Sequence, residues 1–434
     1  MESVHEPGEQ LALKESQFDA LLARGRENGT YGNYAEAATD YAQAAYVARE
    51  FGEADERLFD ALSRLAYCRY RLGDLHSAEE TYREALSLLE RFHKESHPER
   101  LASVLWALAV LYSDSLRFED AENYFHRSMD VTEAWAGPND RFIADCLWGL
   151  SKCLTSTGKL SEAQQAIKKA IAIYESLPDN CDEYLCTNYG NLGNLELQMA
   201  KLEDAVKHLS KAIELRQRLA GEVDLALIGL TSKLSLALIQ LNRHKEAEKY
   251  LKLALKVSNA NFGEKSLESA RKMIALGNCL NHQKKYAQAE KLLGKAAAIV
   301  RQQNLEPAIT AACLYELNTS LSNQKNTERS RIRAVLEELS LLYERSNLPR
   351  QALYAEARLK LGNIYEDACL FKKARTCYES ALEARQAVFG KEHKLIAECL
   401  MRLSGCRHKL GEYKEAMELQ RQAENMLNDL KHRA

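Results

Sequence analysis

Alanine recurs at positions 37, 78, 121, 163, 205, 247 and 289, in steps of 41, 43, 42, 42, 42 and 42 residues, and returns at 374 and 416 after a gap of 85. A period held over nearly the whole chain commits it to a repeat architecture, in which each unit buries its apolar face mainly against its neighbours. The surroundings of each alanine repeat as well. Leu75, Ala78, Tyr82 and Ala85 set a pattern that Phe118, Ala121, Phe125 and Ser128 restate, as do Phe371, Ala374, Tyr378 and Ala381. Spacings of three, four and seven place such residues on one face of a helix.

Twelve residues before each alanine stands a small residue: Gly25, Ala66, Ala109, Ser151, Gly193, Ser235, Gly277, Gly362 and Ser404. A small residue on one helix lets a second helix approach closely, and the large residue four after the alanine fills the space beside it. Between the two landmarks lie segments such as Leu72-Gly73-Asp74, Thr157-Gly158-Lys159 and Leu410-Gly411-Glu412, whose glycines can take the left-handed conformation that ends a helix. Each unit therefore reads as helix A, a short turn and helix B. Of the six prolines, five fall in polar breaks and none interrupts a periodic segment, as a helical reading requires.

The spacing resembles the tetratricopeptide repeat, lengthened from 34 to 42 residues by about one turn in each helix. The longer form is similar to the repeats of the kinesin light chain family, as are the breaks Phe262-Gly263-Glu264-Lys265-Ser266 and Phe389-Gly390-Lys391-Glu392-His393. The resemblance implies an all-α, right-handed superhelical solenoid of about ten helix-turn-helix repeats, with the A helices lining a concave groove that carries protein or peptide ligands. Residues 1–15 are expected to form a flexible leader, 16–308 seven regular repeats, and 348–428 two more, followed by a fraying polar tail over 429–434. The segment 309–347 is expected to be a degenerate repeat and a candidate hinge. Its alanine position falls on Arg331, its break 322–327 is unusually polar, and Ala334 is the expected substitute after a longer turn.

By the phase of the resembling family, the groove-facing positions lie two before and one after the small residue. They hold Arg64 and Tyr67, Lys152, Asn191 and Asn194, Lys233, Asn278, Lys360 and Asn363, and Arg402. Arg271 shares the same wall, and Trp106 and Trp148 stand three before the small residue in adjacent repeats. Asn can donate to and accept from an extended peptide backbone, and Lys and Arg suit carboxylates. The expected partner is a protein or peptide with an acidic stretch and a bulky apolar anchor. The same asparagines also belong to the repeat's ordinary consensus, and the tryptophans also suit packing between repeats.

Other chemistries find little support. A net charge of −3 and a pI near 6.5 provide no long-range attraction for nucleic acid or anionic membrane. No stretch approaches the length of apolar chain that spans a bilayer, and the acidic first residues do not resemble a secretory signal. Eleven cysteines without a Cys-x-x-Cys pair read as reduced, buried thiols of a cytoplasmic protein. His76, His244 and His282 stand singly in the sequence, without metal-ligand spacing. Gly263-Glu264-Lys265-Ser266 lacks the Gly-Lys-Ser order of a phosphate loop. No catalytic residues, metal site or cofactor are expected. The function expected is a non-enzymatic interaction scaffold or adaptor. The alternative is a sensor of a short signalling peptide that changes the pitch of the superhelix.

Overall fold

The alanine- and leucine-rich segments between turn signals form helices whose buried faces repeat with the period of the sequence. The computed structural model describes residues 7–178, 181–303, 306–325, 327–346, 352–390 and 392–432, among which there is no strand. The helices are α1 (Pro7–Thr30), α2 (Tyr34–Arg49), α3 (Glu56–Arg71), α4 (Leu75–Leu88), α5 (Pro98–Asp114), α6 (Phe118–Ala136), α7 (Arg141–Ser156), α8 (Leu160–Ser176), α9 (Asp182–Gln198) and α10 (Leu202–Ala220). They continue as α11 (Ala226–Gln240), α12 (His244–Phe262), α13 (Leu267–His282), α14 (Tyr286–Gln302), α15 (Pro307–Ser322), α16 (Arg329–Arg345), α17 (Ala352–Asp367), α18 (Phe371–Phe389), α19 (Lys394–Lys409) and α20 (Tyr413–His432). Odd-numbered helices are the A helices and even-numbered ones the B helices of ten repeats. The chain divides into two compact halves at Leu219/Ala220, each holding five repeats.

The small residue does what its position requires. A Cβ added to Gly193 would stand 2.5 Å from Leu209 Cγ, one on Gly277 would stand 2.5 Å from Leu293 Cγ, and one on Gly362 would stand 2.5 Å from the Tyr378 ring. Each partner lies sixteen residues on, so the glycine is a notch for the large residue of the same repeat's B helix. The repeating alanines beside it are fully buried.

The turn between A and B helices carries a left-handed residue with the same period as the alanines. It is Gly32, Gly73, Gly158 and Gly411 in four repeats, but Leu116, Ala200, Asn242, Lys284 and Cys369 in five others, with φ between 56° and 61°. The geometry is thus kept even where the residue disfavours it.

Neighbouring repeats are also tied by a polar rung that the alanine pattern does not announce. The residue after the alanine pairs with the residue just before the next B helix: Glu79 with Arg117 at 3.0 Å, Glu122 with Lys159 at 2.9 Å, and Gln164 with Lys201 at 2.8 Å. In the C-terminal half the same rung joins Glu248 to Lys285 at 2.7 Å. Between the last two repeats its sense reverses, Arg375 donating to Glu412 at 2.5 Å. In the N-terminal half, Gln164 also donates to the fully buried Glu196 at 2.9 Å, whose other oxygen lies 2.6 Å from His208 Nδ1.

Three sequence expectations need correction. Helix α1 begins at Pro7, inside the segment expected as a leader, and residues 1–6 lie outside those described. Helix α20 is helical to His432, through most of the expected tail, with Arg433 and Ala434 outside the described residues. Ala334 is exposed and takes no packing role. The eighth repeat instead keeps the pattern one residue later: Ser320 is the small residue, Ile332 takes the alanine position, and Leu336 and Leu339 are fully buried. Arg331, which occupies the nominal alanine position, supplies this repeat's rung by donating to Glu290 at 2.6 Å.

Candidate functional site

Within each half the A helices are neighbours, so their exposed faces form a continuous surface. In the N-terminal half Tyr70 of α3 donates to Asp114 of α5, the Trp106 ring of α5 lies 6.2 Å from Phe142 of α7, and Arg141 of α7 donates to Tyr184 of α9. In the C-terminal half Lys272 of α13 reaches Ser232 of α11 at 3.0 Å, Asn278 of α13 reaches Glu316 of α15 at 2.6 Å, and Tyr315 of α15 reaches Glu356 of α17 at 2.9 Å.

None of the thirteen expected wall residues is buried. The N-terminal face carries Arg64, Tyr67, Trp106, Trp148, Lys152, Asn191 and Asn194. The Arg64 guanidinium is held by Asp60 one turn back at 3.1 Å, and the Tyr67 hydroxyl accepts from Arg71 at 2.7 Å. The indole N–H groups of Trp106 and Trp148 are buried without a partner, so these residues present ring surface to the face and no donor. The Lys152 ammonium lies 5.4 Å from the Trp148 ring, in the range of a cation–π contact. Asn191 and Asn194 are partly exposed, and their side chains make no hydrogen bond among the described residues.

The C-terminal face carries Lys233, Arg271, Asn278, Lys360, Asn363 and Arg402, and several of these are already engaged. Lys360 pairs with Glu356 at 2.7 Å, Arg271 approaches Glu306 at 3.8 Å, and Asn363 accepts from the Tyr378 hydroxyl at 2.8 Å. Asn278 is taken by Glu316, as above. The acidic partners come from one helical turn earlier or from the next repeat, which a rule confined to two positions per repeat does not reach. Lys233 and Arg402 have no ionic partner among the described residues, and burial pushes the Lys233 ammonium below its usual pKa.

Two histidines that stand apart in the sequence are brought together. His244, opening α12, stacks on His282, closing α13, with ring centroids 4.7 Å apart and planes 5° from parallel. Burial lowers the pKa of His244, and the charge of His282 lowers it further. Among the described residues no group of three or more His, Cys, Asp or Glu is placed to hold a metal ion. No helix among them is long and apolar enough to cross a membrane.

A family model for the MalT-like TPR region matches residues 10–181, and one for the tetratricopeptide repeat matches residues 184–260, 225–302 and 353–429. No curated protein sequence matches. Among solved structures, the apo form of RapI is 12% identical, with 86% of this chain and 99% of that chain covered and a TM-score of 0.53, a likeness of fold alone. The putative kinesin light chain TPR-like repeats of Podosopora anserina are 16% identical, with 48% of this chain and 99% of that one covered and a TM-score of 0.41. YrrB, a TPR protein with an unusual peptide-binding site, is 16% identical over 54% of this chain and 97% of its own, with a TM-score of 0.39.

Proposed function

The chain belongs to the tetratricopeptide-repeat proteins, and from that premise we propose that it is a non-enzymatic scaffold whose A-helix faces hold an extended protein or peptide segment. One observation carries the reading. Asn191, Asn194 and Lys233 stand partly exposed on A helices, and none of the three has a partner among the described residues. Burial lowers the pKa of Lys233, so its ammonium lacks a compensating charge, while the two amides keep donors and acceptors open to a partner. An extended backbone meets Asn191 and Asn194 with alternating donors and acceptors, and a carboxylate meets Lys233.

The partner we envisage has an acidic stretch for the unpaired cations and an apolar anchor for the Trp106 and Trp148 rings. The acidic preference is concentrated at Lys233 and Arg402 in the C-terminal half, because its other cations already have carboxylate neighbours. Ten of the eleven cysteines are buried free thiols, which suits a cytoplasmic setting.

Capture from cell lysate tests the reading, with wild type beside an Asn191→Ala, Asn194→Ala variant and a Lys233→Ala variant, all matched in helix content by circular dichroism. We expect a partner that wild type retains and at least one variant loses. Equal capture by all three proteins would place binding elsewhere and end the proposal.

A further inference from the structure

The N-terminal half contains a pocket of about 510 Å³ between the end of α1, the start of α2 and the middle of α3. Tyr34 and Tyr67 form two of its walls, their rings edge to face with centroids 6.3 Å apart, and Tyr41 lies at its base. Two guanidinium groups line it and a third is held against its aromatic walls. Arg64 and Arg26 line the pocket, and both stand close enough to the Tyr41 hydroxyl to oppose the upward pKa shift that burial imposes on it. Arg71 lies over the Tyr34 ring at 4.4 Å and donates to the Tyr67 hydroxyl at 2.7 Å, so its planar group is fixed at the rim by the aromatic walls themselves.

The charge balance is uneven. Asp60 forms an ion pair with Arg64, and among the described residues neither Arg26 nor Arg71 forms an ion pair with any carboxylate. Arg26 therefore brings an unpaired positive charge to a lining that also includes Thr30, and Arg71 holds a second beside the Tyr34 and Tyr67 walls. A carboxylate balances one of these charges. A phosphate monoester carries about −1.5 to −2 at pH 7, has three acceptor oxygens, and matches the forked donors of guanidinium groups.

We propose that this pocket binds the phosphate monoester of a phosphorylated side chain, with Arg26 and Arg71 as its principal ligands and Tyr34 and Tyr67 as walls for the group that carries it. The assignment rests on the reading of the N-terminal A-helix face as a binding surface, since Tyr67 and Arg64 belong to both. It adds a switch to that reading: modification of the partner decides whether this end of the face is occupied.

Titration of the full chain with capped phosphotyrosine, capped phosphoserine, their unphosphorylated parents and capped glutamate, followed by nuclear magnetic resonance, tests it. We expect at least one phosphorylated compound to bind ten-fold or more tightly than both its parent and glutamate. That preference should vanish in an Arg26→Gln, Arg71→Gln variant, two exposed residues outside any ion pair, and survive in Asn191→Ala, Asn194→Ala. Whether phosphotyrosine or phosphoserine shows the preference identifies the source of the phosphate. Binding of glutamate equal to the phosphorylated compounds, or a preference unchanged by losing the two arginines, would overturn the proposal. Neither result touches the Asn191 and Asn194 test of the wider face, so the two readings fail separately.

Discussion

Gly277 of α13 and Leu293 of α14 are so close that a Cβ on the glycine would stand 2.5 Å from Leu293 Cγ. The clash is with a branch point and not with a mobile tip, so relief requires the two helices to separate. Gly277→Val should destabilise the C-terminal half by about 1–3 kcal/mol. Gly294, within α14 with nothing in 4 Å of its missing Cβ, is the control: Gly294→Ala should stabilise by up to about 1 kcal/mol. Urea unfolding of both variants checks the pair of signs.

Leu116 holds a left-handed turn with φ of 60° while 74% exposed, so its side chain offers little in return for the strain. Leu116→Gly should raise stability by about 0.5–1 kcal/mol, the part of the left-handed penalty left after the extra entropy of glycine in the unfolded chain. The reciprocal change Gly158→Leu should lower it by a similar amount. Thermal unfolding midpoints moving in the same direction for both would refute the account.

The rung from Glu122 to Lys159 joins a mostly buried carboxylate to a half-exposed ammonium. Glu122→Lys should lower stability, and adding Lys159→Glu should recover most of the loss. A double-mutant cycle measured in urea gives the coupling, which should shrink in high salt.

The stacked pair His244 and His282 predicts an acid-sensitive joint. The folded state lowers the pKa of His244 below its ordinary 6.5, so protons bind the unfolded chain more readily. The pair therefore costs nothing well above pH 6.5, and stability falls as pH drops through that value. His282→Gln removes the charge that opposes His244 and should flatten the slope between pH 7.5 and 5.5 in urea unfolding followed by circular dichroism.

Lys233 pits stability against binding. Its ammonium is partly buried without a partner, so Lys233→Met should raise stability by roughly 0.5–1 kcal/mol. The same change should remove retention of any partner whose capture depends on this cation. A variant that loses both stability and binding would instead mean that the lysine has an internal structural role.

Much of this architecture is legible in the residues. The period of the alanines, the small residue twelve positions earlier, and the large residue it accommodates all follow from one helical face packing on another, and the structure joins Gly193 to Leu209 and Gly362 to Tyr378 accordingly. The eighth repeat is less legible because its step is one residue longer and Ile332 stands where alanine does elsewhere, leaving Arg331 at the nominal position. The left-handed turns at Ala200, Lys284 and Cys369 carry no compositional sign, since the surrounding helices impose a geometry those residues do not favour. On the A-helix faces the types of residue are legible but their freedom is not. Glu316 reaches Asn278 from the next repeat, and Arg26 and Tyr34 line a pocket from outside the two positions a within-repeat rule inspects.

The reversed rung between Arg375 and Glu412 distinguishes one junction from its counterparts. Where Glu79, Glu122 and Glu248 await a basic residue from the following turn, Arg375 would repel one. At this contact the third, fourth, fifth and seventh modules bring a base, whereas the tenth brings the acid that matches Arg375 of the ninth. The junction between the last two modules thus selects its own successor: a stack that placed the module of Arg117, Lys159, Lys201 or Lys285 after the ninth would meet like charges at this seam.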